Sequence, residues 1–574
     1  MCWPTRTDQE RPSGAPRCGC CTRKSTSAGS TLPTRLRPGT RPERLQAMAE
    51  LLLRGGTVVD GTGSPALAAD VALDGDRISA VGDLSGVSAA REIDVSGLTV
   101  SPGFIDTHAH SDGVLFRDPV HAHGLVQGVT TEFITQDGLS YALLSEENLD
   151  SYGRYIAGLY GPPPVGLDMS TMAAFRSHYE GKGCNVAVQA PHGPVRLESV
   201  GFEDVPLEGE GLAKAERMVA EAMEQGATGL STGLSYYPNS YSNTDELVAL
   251  NKVVARHDGV YVTHIRNHND DRAPDGSGIV EAMNIGRCSG VKVHISHYRT
   301  FPSNAGDIDS IMFEVDKAKS EGVDVTLECY PYAAAATVPG YFLRGECHVG
   351  GIDRLLERLG DPAWHDRLVD SLENLFPGRN DAATFTWIGA DHLKHLEGLS
   401  FADAAARMDM SVSDLTLMVM RESGLQCGFR DAMPASPAVA RQVEADVMAL
   451  LSRDDYMVGS DGIPFDEGIP HPRAYGTFPR ILGRLRRRTG VSLEHIVRGM
   501  TSLPATRFGL TDRGVVAEGK FADLVVFNAD TVIDTADFND PRTPPAGIPY
   551  VIVNGQLAVD EGRPTGALAG RSIP

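Results

Sequence analysis

The sequence predicts an α/β protein: a (β/α)8 TIM barrel, a small β-sandwich domain built from both chain ends, and an inserted, mostly helical lid. Three observations predict it. Short apolar segments alternate with helical stretches through the middle of the chain. Both ends of the chain carry β-type patterning. About 120 residues separate the last two apolar segments of the series.

The β pattern begins at Leu51. Leu52–Gly61 is a short apolar strand that ends in turn residues, and Asp70–Gly82 alternates around Asp74-Gly75, a hairpin signature. Ala522–Phe527 and Tyr550–Gly555 read the same way at the far end. Neither pair of strands can bury a face alone, so one β domain assembled from both ends is expected. The barrel strands are expected at Phe104–His108, Thr131–Asp137, Asn185–Gln189, Gly229–Gly233, Val260–His264, Val291–His297, Val323–Glu328 and Tyr456–Asp461. Helices fit between them, for example Ala213–Gln225 and Thr244–Ala255. Gly350–Pro434 reads mostly helical, and an insertion at that face of a barrel is a lid or a subunit contact. The expected boundaries are 48–101 and 510–574 for the β domain and 102–509 for the barrel, with the insertion at about 345–434.

Residues 1–47 differ from the rest. They hold nine Lys/Arg against three Asp/Glu, four of the nine cysteines, and no hydrophobic period. The segment reads as disordered. It is read first as an upstream stretch ahead of a start at Met48, with a flexible tail or a transit peptide as alternatives. Elsewhere composition is ordinary: of the 574 residues, 41% are hydrophobic and 22% charged, which argues against a disordered or fibrous chain. The net charge of −23 disfavours nucleic acid as the main ligand, because phosphate binding needs clustered cations. No apolar run is long enough to cross a membrane. The cysteines after residue 47 are scattered without C-x-x-C pairs, the usage of a reduced, cytoplasmic protein.

Polar residues recur where the strands end. His108 and His110 sit two apart on one strand face, Asp137 ends the second strand, His264 the fifth, His297 the sixth and Asp461 the eighth. Imidazole nitrogen and carboxylate oxygen are ligands for Zn, Mn or Co, and such an ion lowers the pKa of bound water to ~7. A single histidine of this kind is commonly a hydrogen-bonded barrel residue; six such residues at strand ends point to a metal. His294 is expected on the opposite strand face, against a helix. His121 and His123 are expected at the surface, and His392 and His395 on a solvated face. His192 follows the third strand and is a candidate substrate contact. Three H-x-R pairs place Arg266, Arg299 and Arg473 beside the centre. Guanidinium suits a substrate carboxylate, although each arginine can instead pair with a barrel acid. Tyr330-Pro331-Tyr332 offers a hydroxyl donor, taken as Tyr332, with a core aromatic as the alternative.

Pro102–Asp112, Gln127–Thr131, Thr263–Arg266, Ile295–His297, Ser460–Gly462 and His471–Arg480 together resemble the amidohydrolase superfamily, and within it the D-aminoacylases, the N-acyl-D-amino-acid deacylases. The likeness runs from about Leu51 to the C-terminus. It implies a barrel with a split β domain, metal ligands at His108, His110, His264 and His297, and Asp461 as catalytic acid/base. It also implies substrate-carboxylate contacts at Arg266, Arg299 and Arg473, although lysine is usual where Arg299 stands. The family usually places a cysteine ligand after the second strand; here Asp137 takes the position. A harder oxygen ligand shifts the expectation from zinc alone towards Mn or Co, or towards two ions. The expected activity is metal-dependent hydrolysis of N-acyl-D-amino acids. The alternatives are a cyclic amidase of the hydantoinase or dihydroorotase kind, another N-acyl amino acid or dipeptide hydrolase, and a silent ligand-binding scaffold. The expected partner is a small molecule bearing a carboxylate, with no nucleic acid or membrane; a homo-oligomer is compatible with the insertion.

Overall fold

The computed structural model describes residues 48–267, 272, 277–375 and 378–574. The expectation for residues 1–47 lies outside the described residues. Parallel strands run Phe104–Asp106, Val129–Ile134, Asn185–Val188 with Ala190–Pro191, Gly229–Gly233, Val260–His264, Lys292–Ile295, Val325–Cys329 and Tyr456–Val458. Each pairs in parallel with the next along the series. The third is interrupted at Gln189, and Thr228 N–H reaches the Val188 carbonyl to bridge the break. The last strand returns to the first: Thr107 N–H donates to the Val458 carbonyl, and Ala109 bridges Gly462 in parallel. The ring therefore closes without a free edge.

One end of the ring is filled with apolar side chains. Ile105, Phe133, Ala187, Val260, Val262 and Met457 pack on Phe508 and Leu510. Burying a side chain of this size stabilises by about 1.5–3 kcal/mol. The other end, where the strands finish, carries the polar residues. This polarity matches the rule that barrel chemistry sits at strand C-termini.

The chain ends meet in one nine-stranded sheet. Thr99–Pro102 pairs antiparallel with Leu524–Phe527, which joins the first part of the chain to the last. Leu51, Leu53, Val71, Val100, Leu524, Val526 and Ile552 form its buried face. Leu67–Asp74 and Arg77–Gly82 make the expected hairpin; Gly75 between them takes the left-handed conformation that its turn requires.

The long insertion is more than helices. Ile352–Gly360, His365–Asn374, Phe401–Met408 and Val412–Glu422 are helical. Ala336–Thr337, Cys427–Arg430 and Thr384–Ile388 form a three-stranded antiparallel sheet that the helical expectation omits. The run Thr-Phe-Thr-Trp-Ile is rich in β-branched and aromatic residues, which is the strand signal there.

Candidate metal centre

His108, His110, Asp137, His264, His297 and Asp461 converge at the polar end of the ring. Asp137 lies at the centre. Its Oδ1 is 3.6 Å from His108 Nε2 and 3.7 Å from His297 Nε2; its Oδ2 is 3.8 Å from His110 Nε2 and 3.5 Å from His264 Nδ1. Asp461 Oδ1 is 3.2 Å from His110 Nε2 and 3.7 Å from His108 Nε2. Two donor triads share the Asp137 carboxylate: His108–His110–Asp137 and Asp137–His264–His297.

Local backbone geometry aims these side chains. Asp137, His297 and Asp461 all have positive φ, at 56°, 38° and 51°, as does Thr135 at 64°. Left-handed conformations are costly for residues with a Cβ and are stored at functional sites. They turn the chain sharply at the strand ends and return the side chains over the ring.

Neighbours set the imidazole tautomers. His108 Nδ1 lies 2.6 Å from Glu328 Oε1, so the proton belongs on Nδ1 and Nε2 faces the centre. Tyr160 donates its hydroxyl hydrogen to the Leu139 carbonyl and accepts from His110 Nδ1 at 3.1 Å, with the same result. Ser235 Oγ contacts His264 Nε2, leaving Nδ1 facing Asp137 and, at 3.0 Å, His297 Nε2. Glu328, Tyr160 and Ser235 are supports that sequence reasoning missed. Glu328 had a signal: a carboxylate in the otherwise uncharged strand Val-Thr-Leu-Glu-Cys.

Charge is concentrated here. Burial opposes a charged His108, but the carboxylates of Asp137, Glu328 and Asp461 outweigh it and lift the imidazole to about 10. Burial likewise opposes ionisation of Asp461; Arg473, with the nearby histidines, overcomes it and holds the carboxyl below the usual range. His108 Nε2 and Asp137 Oδ1 are buried and have no hydrogen-bond partner among the described residues. They face one another at 3.6 Å, too far for a hydrogen bond and suited to sharing a cation. The donor set fits a divalent metal, and a shared carboxylate fits one or two ions.

The outer residues divide. Arg473 is buried; its Nη1 lies 2.8 Å from Asp461 Oδ2 and its Nη2 donates to the Ala336 carbonyl at 3.1 Å. Arg299 donates Nη1 to the Thr300 carbonyl, while its buried Nε and Nη2 have no hydrogen-bond partner among the described residues. Both guanidinium groups stack on Tyr330, at 4.6 Å for Arg299 and 4.8 Å for Arg473.

Several expectations need correction. Arg266 does not wait for substrate: it forks onto Glu281 at 2.9 and 3.3 Å and donates to the Ser240 and Ser242 carbonyls. His192 has both nitrogens taken, by Asn239 and Glu246 at 3.0 Å each. Tyr332 packs under Arg480 and against His471, and Tyr330 is the tyrosine between the two site arginines. His294 does not simply pack on a helix: it bonds Thr326 and Glu328, extending the support behind His108. His121 is buried against Glu132 instead of lying at the surface. The physical reason is common to most of these. In so acidic a chain, a buried cation or imidazole finds a carboxylate inside the fold. His392 is exposed and pairs with Glu422.

Comparison with known proteins agrees with this geometry. Residues 378–559 match the model of the amidohydrolase family. The D-aminoacylase of Alcaligenes xylosoxydans xylosoxydans is 34% identical, the match covering 91% of this chain and 97% of that one. The N-acyl-D-glutamate deacylase of the same organism is 33% identical, over 91% and 96%. This chain belongs to the D-aminoacylase family of amidohydrolases. Among solved structures, the N-acyl-D-glutamate deacylase of Bordetella bronchiseptica superposes with a TM-score of 0.76 at 30% identity, covering 92% of this chain and 100% of that one. That N-acyl-D-glutamate deacylase was solved with zinc and a phosphonate that mimics the tetrahedral intermediate of its reaction.

Proposed function

We propose that the protein hydrolyses the amide bond of N-acyl-D-amino acids, yielding a carboxylate and a D-amino acid. One observation carries the reading: four histidines and two aspartates meet at the mouth of the barrel, with Arg473 and Arg299 stacked on Tyr330 beside them. His108, His110, Asp137, His264 and His297 would hold one or two divalent ions, zinc first, with Mn or Co as alternatives. Such an ion polarises an acyl carbonyl and lowers the pKa of water to ~7.

The chain's own residues supply the remainder. Asp461, kept ionised beside Arg473, takes a proton at Oδ1 from the attacking water and returns it to the leaving nitrogen. Arg299 holds the substrate carboxylate through its unpartnered Nε and Nη2. Arg473 shares that role while fixing Asp461. The mostly helical insertion at about 345–434 acts as a lid, an assignment supported by the Ala336 carbonyl that receives Arg473 just ahead of it. The domain boundaries are 48–101 and 510–574 for a β-sandwich and 102–509 for the barrel. The five described cysteines are unpaired, which supports a cytoplasmic setting. Among the described residues no helix is long and apolar enough to cross a membrane.

The test is a panel of N-acetyl-D-methionine, N-acetyl-D-glutamate, their L forms and a hydantoin, with zinc-loaded protein. Hydrolysis of the D forms alone is expected. Cleavage of the L forms, or ring opening without linear hydrolysis, overturns the reading.

A further inference from the structure

A second group of metal-type ligands lies outside the centre described above. His121, His123 and Glu132 each bring a ligand atom within 4.8 Å of the others. His121 and His123 flank the start of the short helix Ala122–Leu125, and Glu132 lies on the second barrel strand, on the face opposite Phe133. The two imidazole rings stand 4.2 Å apart, edge to face.

Three features show that this place is built. His121 is fully buried and held at φ 59° by a backbone that pays strain to turn the ring inward. Gly124 leaves the room: a Cβ there would meet His121 Nε2 at 2.5 Å and Glu132 Oε1 at 3.3 Å. His121 Nδ1 and Glu132 Oε2 are buried with no hydrogen-bond partner among the described residues. A simple His–Glu pair explains the 2.5 Å contact between His121 Nε2 and Glu132 Oε1, but it leaves those atoms and His123 unused. Stranding buried polar groups costs about 1–3 kcal/mol each, so a ligand that engages more of them is favoured. A small cavity lined by Asp106, His123, Gln127, Glu132 and Ser460 adjoins the cluster. Glu132 faces Asp106 in strand register, so two carboxylates share this low-dielectric place.

We propose that His121, His123 and Glu132 form a separate divalent-cation site of the zinc class. Two imidazoles and one carboxylate are a zinc donor set, with the adjoining cavity leaving a fourth position for water. The ion offsets the facing carboxylates and clamps the helix Ala122–Leu125 onto the second strand. The position matters to the chemistry next door. Asp106, the register partner of Glu132, accepts the backbone N–H of His108 at 3.1 Å and of Ser460 at 2.8 Å on Oδ1, so the site lies beside the residue that braces both the first metal-type histidine and the loop carrying Asp461. Its role is structural.

The experiment counts zinc. Wild-type protein, His123→Asn and Glu132→Gln are saturated with zinc, desalted and measured by elemental analysis. Each variant is expected to carry one zinc per chain fewer than wild type. Zinc-edge anomalous maps of wild-type crystals are expected to show a peak between His121, His123 and Glu132, apart from the density at His108–His297. Equal zinc content in folded variants overturns the site. So does a wild-type map with zinc at the first centre and none at the second, which decides the question even if the variants do not fold.

Discussion

Replacing Glu328 with glutamine keeps its shape and removes its charge. Glu328 is fully buried and receives His108 Nδ1 at 2.6 Å, His294 Nε2 at 3.2 Å and the Thr107 hydroxyl. A neutral amide offers one acceptor oxygen where the carboxylate offers two, so one of these donors loses its partner. Whichever way the amide turns, the proton on His108 Nδ1 is held by a weaker, neutral acceptor or by none, so Nε2 is kept less firmly in the unprotonated form that faces Asp137. Carboxylates behind metal-binding histidines are worth roughly 10–100-fold in metal affinity. At ~1.36 kcal/mol per decade that is about 1.4–2.7 kcal/mol. The upper part of the range is expected, because Glu328 supports His108 directly and braces it through His294 as well. Zinc affinity is measured by competition with a chromophoric chelator, with circular dichroism confirming the fold. Zinc affinity within twofold of wild type in a folded variant would show that Glu328 is merely a buried acid satisfied by its neighbours.

Four further outcomes are expected. Asp461→Asn should lower kcat by ~10²–10⁴-fold with zinc content unchanged, the usual loss for a general acid/base; retention of more than a tenth of wild-type kcat removes Asp461 from that role. Arg299→Gln should raise KM for N-acyl-D-amino acids at least tenfold with a smaller change in kcat; equal KM values would place the substrate carboxylate elsewhere. Exhaustive chelation should abolish hydrolysis and added zinc should restore it, and undiminished activity without metal sinks the mechanism. In the metal-free protein His108 is raised to about 10, so its contribution to stability is complete below the unfolded value of ~6.5 and fades as pH climbs through 10. Glu328 and Asp461 are depressed, so theirs is present above about pH 4 and fades as pH falls below it. Denaturant melts of the metal-free protein should peak between about pH 4.5 and 6.5, and a peak above pH 8 contradicts the charge arrangement.

The barrel strands were legible because a buried parallel strand is a short apolar run, and a ligand at its end is the polar residue that stops the run. His108, Asp137, His264, His297 and Asp461 announce themselves in that way. The arginines did not sort themselves by sequence. Arg266, Arg299 and Arg473 share one H-x-R pattern, yet Arg266 is spent on Glu281, Arg473 is paired with Asp461, and Arg299 retains unpartnered donors. Tyr330 and Tyr332 are two residues apart, and which one meets the arginines depends on how the chain leaves the seventh strand. The strand Thr384–Ile388 was hidden because its partner, Cys427–Arg430, is about 40 residues further along the chain, and the third strand, Ala336–Thr337, joins only through that partner.

By itself the sequence determined the order of strands, the residues that end them and the chemistry those residues can perform, because hydrophobic period and side-chain type are local properties. Only the tertiary structure decided which charges are already satisfied, which imidazole nitrogen faces inward, and that His121, His123 and Glu132 meet. Hydrogen bonds and ion pairs act over a few ångströms in space, and no spacing along a chain reports which distant carboxylate a buried cation finds.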